Sequence, residues 1–118
     1  MATKFKAVLE KLVRDAGLEG AVLTTADGLP VESVLPAGQS EERLAAMSAA
    51  TLSLGERAAF ELEKGALEQI TIKAEKGYVI LTGIGEEAVL TVMASHDAKL
   101  GLLYLEIRKA AEELAKLL

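Results

Sequence analysis

The stretch Gly77-Tyr-Val-Ile-Leu-Thr-Gly-Ile-Gly-Glu-Glu-Ala-Val-Leu-Thr-Val-Met-Ala94 decides the fold. Two runs rich in β-formers, Tyr78–Gly83 and Ala88–Ala94, flank the short connection Gly83-Ile84-Gly85-Glu86-Glu87, so they pair antiparallel as neighbours. Successive side chains on a strand point to opposite faces. Tyr78-Val79-Ile80-Leu81 and Val89-Leu90-Thr91-Val92-Met93 are apolar at both parities, which requires cover on both sides of the sheet.

Immediately upstream, Leu67–Ala74 and the turn Glu75-Lys76-Gly77 supply a third neighbouring strand. Further back, Gly20-Ala-Val-Leu-Thr-Thr25 and Leu29–Leu35 are joined through Ala26-Asp27-Gly28, and Asp-Gly marks a hairpin because both residues tolerate positive φ. Pro30 removes a donor from the return strand and places it at a sheet edge. Helical periodicity covers the rest. Lys4–Ala16 carries Phe5, Val8, Leu9, Leu12 and Val13 on one side, with Gly17 as its left-handed end. A long helix over 40–64 opens on Ser40 as N-cap, with Glu41 and Glu42 in the first turn, and stops at Gly65. The last helix runs from Ala98 to the C-terminus behind a cap at Asp97, with Leu100, Leu103, Tyr104, Ile107, Ala111, Leu114 and Leu118 as its stripe. The order α-β-β-α-β-β-β-α predicts an α/β (α+β) fold. A three-layer α/β/α sandwich on a five-stranded antiparallel sheet is expected, in a single domain over 1–118.

Composition narrows the chemistry. Thirteen Lys+Arg against eighteen Asp+Glu leave a net charge of −5, the wrong sign for neutralising phosphates, so no nucleic-acid partner is expected. The aromatics Phe5, Phe60, Tyr78 and Tyr104 are too scattered to stack bases. Cysteine is absent, which removes thiolate metal sites and thiol nucleophiles. His96 is the only histidine and sits between Ser95 and Asp97, where a turn or capping role is expected. Gly83-x-Gly85 lies between strands rather than before a helix and reads as a turn, not a phosphate loop. Glu61/Glu63 and Glu86/Glu87 are paired acids without a second chemical partner. Arg14, Arg43, Arg57 and Arg108 could each reach a phosphate in trans, and nothing elects one of them. No catalytic, cofactor-binding or metal-ligating residue is expected, and no enzyme activity. The first residues, Met1-Ala2-Thr3-Lys4-Phe5-Lys6, have no apolar core, and no run reaches the ~18–20 apolar residues that span a bilayer. A cytoplasmic location without membrane insertion is expected. Asn is absent and Gln occurs only at 39 and 69, a thermophile-like bias.

The long helix is unusual. At 100° per residue, Leu44, Met47, Thr51, Leu54, Ala58 and Leu62 form one stripe, expected to meet the sheet. The opposite side carries Ala46, Ala49, Ala50, Ser53 and Phe60, with Arg57 beside them, where a solvated helix would be charged. Small residues let helices approach closely, and an exposed Phe forgoes roughly 1.5–3 kcal/mol of burial. A homodimer is expected in which this side packs antiparallel on its twofold copy, with Ser53 near the axis and Ala46 near the partner's Phe60. Alternatively, the alanines are simply good helix formers tolerated in water.

Four stretches in this order resemble the roadblock family, which includes small dynein light chains, Ragulator scaffold subunits, and bacterial and archaeal regulators of Ras-like GTPases. They are Gly20–Val31, the small-residue helix Leu44–Leu62, Gly77 through Ala94, and Ala98–Arg108 with the helix it opens. The resemblance implies a profilin-like sandwich with the first and last helices on one sheet face and the long helix on the other. It also implies dimerisation through the long helix and the following strand, Gln69, Ile70, Thr71, Ile72 and Lys73, giving one continuous sheet across two chains. The implied role is a non-catalytic adaptor or regulator that binds a Ras-like small GTPase. Some bacterial members of the family accelerate GTP hydrolysis by repositioning the GTPase's own residues. A structural subunit of a larger assembly and a small-molecule sensor domain are the other readings.

Overall fold

A computed structural model describes residues 2–118, with side chains from Lys4 onward; Met1, the first residue of the segment read above for targeting, lies outside them. The elements are α1 (Ala2–Ala16), β1 (Gly20–Thr25), β2 (Pro30–Val34), α2 (Glu41–Glu61), β3 (Gln69–Ala74), β4 (Gly77–Ile84), β5 (Ala88–Ser95) and α3 (Leu100–Leu117). The five strands form one sheet in the order β2-β1-β5-β4-β3, antiparallel throughout. The expected α/β/α layering is therefore present, with β2 and β3 at the two edges. Pro30 begins an edge strand, as its missing donor requires.

Sequence chemistry accounts for most boundaries. Gly17 takes φ +63, and the Leu18 amide donates to the Val13 carbonyl at 2.9 Å, the closing bond of a Schellman end for α1. At the β1–β2 connection, Gly28 has φ +96 and the Leu29 amide donates to the Thr25 hydroxyl. Thr25 in turn donates to Asp27 at 2.6 Å; this hydroxyl first, and then Asp27's own backbone amide, hold its carboxylate below the usual range. Ser40 caps α2 by accepting from the Arg43 amide.

Strand β3 begins at Gln69 rather than Leu67, β2 spans Pro30–Val34 rather than Leu29–Leu35, and two helix ends are formed by other groups than expected. Helix α2 ends at Glu61 rather than Lys64, and the left-handed residue closing it is Glu63 at φ 59, not Gly65. The Lys64 amide reaches the Ala59 carbonyl and Glu63 reaches Phe60, so the Schellman bonds form around a non-glycine residue. Helix α3 starts at Leu100 with Lys99 as N-cap and no side-chain cap bond. Asp97 instead lies in the turn closed by the Ala98 amide on the Ser95 carbonyl, with its carboxylate beside His96.

The two sheet faces are filled very differently. On one, α1 and α3 pack together over Ala21, Leu23, Ile80, Ile84, Ala88, Leu90, Val92 and Ala94, enclosing Leu9, Leu12, Leu103, Ile107 and Leu114. On the other, α2 lies alone, and the buried apolar cluster there is Leu52, Leu81 and Val89. Strand alternation sends Thr24 and Thr91 to this second face, where the Thr91 hydroxyl donates to Ser48 at 2.8 Å and the Thr24 hydroxyl has no partner among the described residues. Among those residues no helix is long and apolar enough to cross a membrane.

Candidate functional site

The surface of interest lies on the thinly filled side. Helix α2 meets the sheet through Ala45, Ser48 and Leu52, with Gly55 further along. A Cβ on Gly55 would fall 2.5 Å from the Ile70 side chain, so glycine lets the helix settle onto β3. This rotation overturns the expected facing of the helix. Of the predicted sheet-facing stripe, Leu44 and Thr51 are half-buried, whereas Met47 (58%), Leu54 (69%) and Leu62 (70%) are exposed, and Ala58 with them. The stripe is real as a helical periodicity, but it points beside the sheet, because the small Ala45 and Ser48 permit closer approach than Leu or Met would.

The residues expected to face a second copy divide as follows. Ala46, Ala50, Ser53, Arg57 and Phe60 are exposed, Phe60 by 78%, and Ala49 is half-buried. Ala46 and Ala49 lie against the β1–β2 turn: a Cβ on Gly28 would sit 3.6 Å from each. The small side chain of Ala49 is thus used within the chain, whereas Ala46 meets the turn through its backbone. Arg57 pairs with Glu61 at 2.9 Å across one helical turn. From β3, Gln69 and Ile70 are half-buried and Thr71, Ile72 and Lys73 are exposed. Among the described residues β3 pairs only with β4, which leaves its outer edge open.

Between α2 and the sheet runs an apolar groove of about 140 Å³, lined by Leu44, Met47, Thr51, Ile72, Val79 and Met93 among others. Sequence reasoning assigned Met47 to the interior and so missed this groove; its 3–4 spacing with Leu44, Thr51 and Leu54 was the available signal. Met47 and Ile72 line the groove and are exposed, and Leu54, on the same helical stripe as Met47 and Thr51, is exposed as well.

Elsewhere, a wider depression of about 410 Å³ lies between α3 and the β3–β4 pair, lined by Gln69, Thr82, Tyr104 and Arg108 among others. The Tyr104 hydroxyl meets the Thr71 hydroxyl at 2.9 Å, tying α3 to β3. His96 is exposed and lies 3.5 Å from the Asp97 carboxylate in the turn after β5. Among the described residues, no group of three or more His, Cys, Asp and Glu side chains could hold a metal ion. Arg14 lies 3.9 Å from Asp15, Arg43 is exposed, and Arg108 lines the wider depression, so the four arginines are dispersed rather than convergent.

Fold and surface together give three layers with one finished face, one partly filled face and an open strand edge. Residues 4–94 match the Roadblock/LC7 domain, and the chain belongs to that family. It is 34% identical over 107 residues to the uncharacterized protein MJ1340 of Methanocaldococcus jannaschii, covering 91% of this chain and 93% of that protein. Among solved structures it is similar to Myxococcus xanthus MglB, with TM-score 0.93, 26% identity, and coverage of 98% of this chain and 88% of that one. Acanthamoeba castellanii profilin IB shares the fold at TM-score 0.66 and 16% identity, over 95% of this chain and 97% of that one, which bears out the profilin-like architecture.

Proposed function

We propose that the chain is a non-catalytic homodimeric adaptor of the cytoplasm that binds a Ras-like small GTPase and scaffolds it or modulates its GTP hydrolysis. The observation that carries this reading is the partly filled α2 face: Met47 and Ile72 line an apolar groove next to the open edge strand, and Leu54 and Phe60 stand exposed on α2. Each of these side chains forgoes part of the roughly 1.5–3 kcal/mol that full burial supplies, a cost that a second copy laid across α2 and β3 would recover. The interface comprises Ala46, Ala49, Ala50, Ser53, Arg57 and Phe60 of α2 with Gln69–Lys73 of β3, joined by Met47 and Leu54. Two copies present one continuous sheet, and their joint surface docks the GTPase. Any effect on hydrolysis then comes from ordering the GTPase's own residues.

Family membership supports the GTPase as partner, since the roadblock resemblance implies that class of client. Affinity capture from the native lysate, followed by GTP-turnover measurements on a captured GTPase with and without this protein, tests the reading. A Ras-like GTPase that co-purifies and binds is expected. Stable dimers captured with other assembly subunits and no GTPase would make the protein a structural subunit instead, and a retained metabolite would make it a sensor.

A further inference from the structure

The β2 edge of the sheet is finished by side chains rather than by another strand. The Ala26 amide donates to the Glu87 carbonyl at 2.9 Å, one step beyond the facing pair Thr25 and Ala88 in the β1–β5 register. Facing residues that share such a bond form a hydrogen-bonded pair, and bonded pairs recur at every second position. Thr24 and Val22 therefore direct their backbone groups to β5, and Leu23 and Ala21 direct theirs to β2. Their partners on β2 are Glu32 and Val34, so the backbone of Ser33, between them, faces outward. Pro30, where the strand begins, has no N–H to offer.

Both outward groups of Ser33 are occupied from within the chain. Its carbonyl accepts from the Lys6 ammonium of α1 at 2.7 Å, and its amide donates to Glu32 Oε1 at 3.1 Å. The same Glu32 oxygen lies 3.7 Å from Lys6 Nζ, so ammonium and carboxylate hold each other over the edge. The Ser33 hydroxyl points to the other sheet face and donates to Glu41 in the first turn of α2. From this we infer that Lys6 and Glu32 form a clamp that closes β2 to strand addition.

An open edge is a template for any extended segment of polypeptide. At β2 such a segment needs the Ser33 N–H and C=O, and it must first displace the charged pair that bonds both. A sheet open at both edges can add chains head to tail without closing, and a sheet closed at one edge cannot grow that way. The clamp thus keeps association of this chain finite. It does so whether the wild-type protein is one chain or two, so the inference is independent of the self-association proposed above.

Lys6→Met combined with Glu32→Thr removes both charges while keeping a helix former on α1 and a strand former on β2. As concentration rises, the sedimentation mass of wild type should level off. The double variant should keep growing, to species several-fold heavier, with unchanged far-UV circular dichroism. Adding Ser33→Pro removes the outward N–H without touching a bond to β1, and should restore the wild-type plateau. A folded double variant that levels off with wild type would overturn the inference. Growth that persists with Ser33→Pro would overturn it too, because strand addition at Ser33 could not then be the cause. Hydrogen exchange on wild type supplies a test that needs no variant. The Ser33 amide should exchange several-fold more slowly than in the unfolded chain, and an unprotected Ser33 amide would overturn the clamp even if the double variant failed to fold.

Discussion

The two faces of the sheet make the instructive comparison. Beneath α1 and α3 the interior is aliphatic and closed: Leu9, Leu23, Leu90, Leu103, Ile107 and Leu114 are at most 2% exposed. Beneath α2 the interior is shallow and partly polar, with Thr24, Ser48 and Thr91 among the buried residues and large apolar side chains left along its margin. Two helices packed on each other and on a sheet can seal a core within one chain. One helix on the same width of sheet leaves area uncovered, and that area is where the proposed second copy would fit. Stability within the chain is thus concentrated on one face, and the proposal puts association on the other.

This contrast can be broken experimentally. Leu90→Ala on the closed face should cost about 2–5 kcal/mol, from lost burial plus the cavity left behind. Leu54→Ala on the open face should change the stability of an isolated chain by less than about 0.5 kcal/mol. Denaturant unfolding at high dilution separates the two, and equal costs would show that the α2 face is already closed within one chain.

A smaller effect probes the polar interior. Ser48→Ala leaves the Thr91 hydroxyl buried without its acceptor and should cost about 1–3 kcal/mol. Adding Thr91→Val to it should cost less than the two single changes summed, because the orphaned group is removed together with its partner. Calorimetric melting of the two single variants and the double variant checks this. Smallest is Thr24→Val: its hydroxyl has no partner in the described structure, so an apolar isostere should gain on the order of 1 kcal/mol, read as a raised denaturant midpoint.

Much of the fold was legible because its signals are local. Asp27-Gly28, Gly17, Ser40 and Pro30 each act through their own backbone geometry, and each stands where the sequence placed it. Strand β1 runs over the expected residues, Gly20–Thr25. What was not legible depends on competition between groups. Asp97 could cap a helix, but it stands in the Ser95–Ala98 turn and α3 starts two residues further on, behind Lys99. The α2 end falls at Glu61 because the chain accepts a left-handed Glu63, a conformation that residue type does not announce.

The candidate site was harder to read, for a related reason. Helix α2 has two apolar sectors, and periodicity reports their existence without saying which one rests on its own sheet. Small residues at 45, 48 and 55 decide that by allowing close approach, and the bulkier Met47 and Leu54 are turned outward. Ala49, read as part of an intermolecular seam, also has an intramolecular cause in the turn at Gly28.

The most direct measurement of the central claim is the sedimentation mass of wild type beside Leu54→Glu. Wild type should sediment at twice the 12.4 kDa of one chain, and the variant, with a carboxylate driven into the shared apolar margin, at the mass of one. A monomeric wild type, or a variant that remains dimeric at the same concentration, would contradict the account.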